Sequence, residues 1–123
     1  MSVLVRLHEV FAWGVIIVGF LGGVWATAAH WVEALRSRSL WVAHHVFHGL
    51  VALQVAFGGI IVGFGDVDAD QNHMFYGFLT FAGVGIIVRY RHLSAYRYLL
   101  YGLGALFVMG LAIRALLLNP LAA

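Results

Sequence analysis

The sequence predicts an all-α, integral membrane four-helix bundle, and three observations predict it. Of 123 residues, 63% are hydrophobic and only 10% are charged. The few charges leave four long stretches without Asp, Glu, Lys or Arg, at 10–32, 39–65, 71–88 and 98–113. Period-2 alternation, the mark of a membrane barrel, is missing. Soluble domains carry roughly 25% charged residues, so an ordinary water-soluble enzyme is excluded. A chain in lipid must satisfy its backbone polar groups within each segment, which leaves helix as the spanning structure.

A spanning helix needs about 20 apolar residues. The first helix is predicted at about 7–30. Its apolar run exceeds the 7–15 residues usual in a signal-peptide core, so despite the small residues at Ala26-Thr27-Ala28 it is expected to stay in the protein. The second helix is predicted at about 40–65, the third at 73–90 and the fourth at 96–118, the last two carrying Arg at or near their ends. Together they form one domain, 1–123. Trp25, Trp31 and Trp41 fall near one boundary, with Tyr90, Tyr96 and Tyr98 at the next turn on that side. Interfaces favour such half-polar rings. Gly19-x-x-x-Gly23 and Gly59-x-x-x-Gly63 let helix backbones approach, here expected within the bundle.

Arginine placement orients the bundle. There is no Lys; the first and third connections carry Arg36, Arg38, Arg89, Arg91 and Arg97. The other side has Arg6 and Arg114 with Asp66, Asp68 and Asp70, a loop read as surface charge. Both termini are therefore expected outside the cytoplasm of a bacterial inner (plasma) membrane. A net charge of +2 is too small and scattered for nucleic-acid binding. Cysteine is absent, which excludes disulfides, thiolate metal sites and covalent haem attachment.

The second and fourth helices align without gaps. Segment 48–55 (HGLVALQV) matches 101–108 (YGLGALFV) at five of eight positions, and 8–11 (HEVF) resembles 73–76 (HMFY). This predicts two helical hairpins related by a pseudo-two-fold along the membrane normal, a known route to a site at the repeat interface. His8 and His73 become mates facing one another across the bundle axis.

Seven histidines are the most unusual polar feature, and ionisable groups at membrane depth tend to mark functional sites. His8 and His73 form an outer layer. His30, His44, His45, His48 and His92 form an inner one, with His48 deepest and on the same face as His44. A b-type haem needs two neutral imidazoles from different helices at one depth, an apolar slot and a polar anchor for its propionates. His8 and His73 meet the depth condition, and Gly14, Gly19, Gly77 and Gly83 would leave room for a flat macrocycle. Arg114 lies at comparable depth and could pair with a propionate or with Glu9. A second haem would use His48 or His45 with His92 or His30. Headgroup-level histidines that merely reach water are the bland reading for His30, His44 and His92. A di-iron site lacks its acids, zinc would need three convergent ligands around an open position, and the acidic loop lacks the Glu that completes a calcium site.

His8 opening one helix, Gln54-x-x-x-Gly58-Gly59-x-x-Val62 in the next and His73 opening the third resemble one four-helix half of the haem A synthase family. The likeness extends more distantly to the bundles of b-type membrane cytochromes. It covers roughly 7–88. It implies His8 and His73 as axial ligands of haem b, with Gln54 and Gly58 packing beside the ring. The family has two such halves and this chain one. Extracellular Cys is missing, and the family's catalytic acid has no secure counterpart, since Glu9 follows its His directly. The resemblance therefore implies haem binding rather than haem-modifying chemistry.

The expected function is a haem-binding electron-transfer protein or small subunit of a bacterial respiratory complex, without catalytic activity of its own. Its expected partners are lipid, redox subunits and a quinol. The competing reading is a cofactor-free accessory subunit of a larger oxidoreductase or transporter. A pigment protein is less favoured, because paired imidazoles at one depth are unnecessary for it. A transporter is weaker still, because the spans lack intramembrane acids.

Overall fold

A computed structural model of the chain describes residues 2–65 and 68–118. It contains four α-helices: α1 (Ser2–Ala29), α2 (Arg38–Phe64), α3 (Gln71–Arg89) and α4 (Arg97–Leu117). Short 3₁₀ turns at Glu33–Leu35 and Ser94–Tyr96 precede α2 and α4. Helices α1, α2 and α4 are each long and apolar enough to cross a membrane. Helix α3 falls short of that measure because its 19 residues begin Gln71-Asn72-His73. The anticipated elements hold to within two residues except at one place. Helix α1 starts at Ser2 rather than near residue 7, since nothing before Leu7 breaks a helix and Arg6 is exposed. His8 consequently lies well inside α1 instead of opening it.

Helix α1 packs most extensively on α4 and also on α2, while α3 packs chiefly on α4. The order around the bundle is therefore α2, α1, α4, α3, and the sparser contact of α2 with α3 leaves a seam between them. The tight α1–α4 contact has a backbone cause. A Cβ added at Gly102 would stand 2.9 Å from the Gly23 carbonyl oxygen and run into Thr27, and one at Gly23 would stand 3.0 Å from the Gly102 carbonyl oxygen. Only glycine allows both backbones there. Gly59 and Gly63, expected to pack inside the bundle, meet nothing within 4 Å; they lie on exposed positions of α2.

The core is a column of Val15, Phe47, Val51, Ile87, Tyr101, Ala105 and Val108, with Ala26, Ala29 and Leu40 forming a second cluster below it. Around this column the apolarity is turned outward: Trp13 is 57% exposed, Phe78 66% and Phe107 61%. A water-soluble domain of this size rarely shows such continuous apolar surface.

The end carrying the first and third connections is tied by arginines and aromatic rings. Arg36 donates from Nε to the Ala29 carbonyl at 2.8 Å and from Nη2 to the His30 carbonyl at 2.9 Å. These bonds satisfy carbonyls that the end of α1 leaves open and place positive charge at the negative end of its dipole. The Trp25 indole N–H donates to the Leu35 carbonyl at 2.9 Å. Arg36 lies 4.7 Å from the Tyr98 ring centroid, and Arg97 lies 4.2 Å from that of Trp41. Such pairs contribute about 0.5–1 kcal/mol each at exposed sites.

Candidate functional site

At the other end, above the core column, the four helices diverge around a cavity of about 390 Å³. That volume lies within the roughly 300–1,000 Å³ common for small-molecule and cofactor sites. Val15, Val51, Ile61, Phe78 and Ala112 are among its mainly apolar walls. Polar groups are few, and they include His8, Gln54 and His73.

Local sequence puts each of them there. Asp70 caps α3, its carboxylate accepting from the Asn72 N–H at 2.7 Å and the His73 N–H at 3.3 Å. The acidic residue read as surface charge therefore fixes where α3 begins, and sets His73 at the third helical position. Asp66, from the same acidic group, lies outside the described residues. On α2, the Gln54 side-chain amide donates to the His8 backbone carbonyl at 2.7 Å, pinning α1 at the level of the imidazole. Four residues on, Gly58 faces that imidazole: a Cβ there would stand 3.3 Å from His8 Cε1.

The two imidazoles meet, with ring centroids 6.1 Å apart and planes at 82°. Two rings sharing one metal ion, at about 2.0–2.1 Å per bond, would have centroids about 6 Å apart. His73 Nδ1 lies 2.6 Å from the Ala115 carbonyl oxygen. A carbonyl only accepts, so Nδ1 carries the proton and Nε2 keeps its lone pair free. Metal-bound histidines are oriented by this kind of second hydrogen bond. His8 Nδ1 and Gln54 Oε1 are buried without partners. A buried polar atom left so costs about 1–3 kcal/mol. Among the described residues no group of three or more His, Cys, Asp or Glu could hold a metal ion.

The cavity thus brings together His8, His73, Gln54 and Gly58 from the residues the sequence singled out. Arg114 does not join them: it is exposed, with its guanidinium 5.8 Å from the Tyr76 ring centroid. Glu9, by contrast, lines the cavity. Of the glycines expected to make room, Gly77 lines the cavity. Gly19 and Gly83 do not provide space, because Phe47 and Val108 fill it. His48 lies elsewhere; the rings it meets are His44, Phe47 and Tyr101. Of the partners considered for it, His45 and His92 are exposed and His30 lies against Trp31 and Tyr96. Two of the residue pairs equated by the internal alignments have their rings in contact, His8 with His73 and His48 with Tyr101 at 5.6 Å. The Ala115 carbonyl and the Asp70 cap could not be read as site features from residue type, since one is backbone and the other depends on where α3 starts.

No family model, curated protein or solved structure matches the chain.

Proposed function

We propose that the chain is an integral membrane b-type haem protein, acting as a small electron-transfer subunit of a bacterial respiratory complex. The observation that carries this reading is the His8–His73 pair, 6.1 Å apart across an apolar cavity. The residues fit the group: two imidazoles from different helices, one with its Nδ1–H already donated to a carbonyl, and mainly apolar walls. His8 and His73 would hold the group through their imidazole nitrogens. Gln54 holds the backbone of His8 in register, and Gly58 leaves its ring room to turn. A bound haem b supplies one-electron iron chemistry. The seam between α2 and α3 is the side from which a flat group can enter. Quinol or a redox subunit is the proposed exchange partner, since the short connections between helices offer no room for a soluble catalytic domain.

Membrane insertion is supported by the three apolar helices and the outward-turned aromatic side chains. The Arg-rich connections favour the cytoplasmic face, which sets both termini and the haem on the opposite side. The tandem relation of the two hairpins is part of the same proposal, with the paired contacts of equated residues as its support.

The reduced-minus-oxidised visible spectrum of detergent-purified protein tests the proposal. Sharp b-type bands at about one haem per chain are expected. Colourless protein in full association with larger membrane subunits would favour the cofactor-free accessory role instead, and chlorophyll-like absorption would point to a pigment protein.

A further inference from the structure

We propose that His44 and His48 on α2 bind a single monovalent copper ion, independently of the cavity at the other end of the bundle. His44 is 1% exposed, and its Nε2 lies 2.8 Å from the Gly22 carbonyl oxygen. The carbonyl can only accept, so Nε2 carries the proton and Nδ1 is left with its lone pair. That Nδ1 is buried with no partner, and so is Nε2 of His48, one turn further along the same face. The two ring centroids are 6.5 Å apart. At about 2.0–2.1 Å per metal–imidazole bond, this spacing suits one atom held between two nitrogens.

The surroundings select the ion. Tyr101 lies against both rings, 5.6 Å from His48 at an interplanar angle of 29° and 5.7 Å from His44. His45, the neighbour that would be a third imidazole, is exposed. Two neutral donors bring no negative charge, and the cost of burying an ion grows with the square of its charge. Zinc also demands four ligands in structural sites and three plus an open position in catalytic ones. Monovalent copper accepts two neutral imidazoles and carries half the charge. The donation from His44 Nε2–H to a backbone carbonyl is the outer-shell contact that orients a metal-binding ring.

The test uses the full-length protein in detergent, under reductant and without oxygen, competing for Cu(I) against a chromophoric chelator. One equivalent per chain is expected to be held. His48→Phe, which keeps a ring against Tyr101 and removes the donor, weakens retention at least about tenfold; His45→Ala leaves it unchanged. X-ray absorption of the copper-loaded wild type should show two nitrogen neighbours. This second measurement does not depend on how the variant folds. Retention in His48→Phe equal to wild type, loss of the copper in His73→Ala, a sulfur or four-ligand shell, preferential uptake of Zn(II), or loss of a haem in His48→Phe would each overturn the assignment.

Discussion

Gln54 holds His8 by its backbone: the side-chain amide of one donates to the carbonyl of the other at 2.7 Å, across the α1–α2 contact. The bond needs the helices at one separation and one register, and it acts on the residue whose imidazole faces His73. Gln54→Leu removes the donor and leaves the carbonyl with fewer partners. A loss of about 1–2 kcal/mol is expected, read as a lower midpoint of thermal unfolding in detergent. Haem affinity should fall by about 10- to 100-fold, as when an outer-shell partner is removed. An unchanged midpoint and unchanged affinity would show that the bond does not hold the site.

Gly58 and Gly49 lie on the same helix but meet different surroundings. A methyl at Gly58 presses on the His8 ring at 3.3 Å, whereas one at Gly49, away from the cavity, meets nothing within 4 Å. Gly58→Val is therefore expected to displace His8 and diminish the haem spectrum, while Gly49→Ala leaves the spectrum intact. Equal behaviour of the two variants, compared at equal expression, would contradict the described contact.

Gly102 and Gly110 give the same contrast for stability. Gly102→Ala drives a methyl into Thr27 and the Gly23 carbonyl, while Gly110 is open. The first substitution should destabilise by about 1–3 kcal/mol through overpacking. The second should be neutral or stabilise by up to about 1 kcal/mol, through the better helix propensity of alanine. Denaturant titration in mixed micelles distinguishes them, and the reverse order would be inconsistent with α1 and α4 as close neighbours.

Asp70→Ala removes both acceptor contacts at the start of α3. A missing cap costs about 1 kcal/mol, and here the fraying turn contains His73. Amide exchange should rise over the first turn of α3 and little elsewhere. Asp70→Asn, which can still accept, should restore protection; a failure to do so would assign the effect to charge and not to capping.

The bundle was legible because long apolar helices announce themselves by the absence of charge, and the four stretches divided by Arg and Asp became α1 to α4 within a few residues. The one boundary that differs is the start of α1, where the helix runs back to Ser2 because an exposed Arg6 sits comfortably in it. His8 and His73 could be singled out because imidazoles are costly at depth, and their pairing followed from equal depth and from the alignment of 8–11 with 73–76. The position of Arg114 was not legible, because depth says nothing about which way a helix turns its side chain. For the same reason Gly19 and Gly83 looked like space, yet Phe47 and Val108 fill them. Asp70 looked like surface charge because capping depends on a helix start that composition leaves open by a few residues.

The most direct test of the His8–His73 pair is the spin and coordination state of bound haem in single variants. Wild-type protein should give the low-spin spectrum of an iron with two imidazole ligands. His8→Ala and His73→Ala should each convert it to a five-coordinate, high-spin form or lose the haem. A low-spin spectrum identical to wild type in both variants would contradict the account.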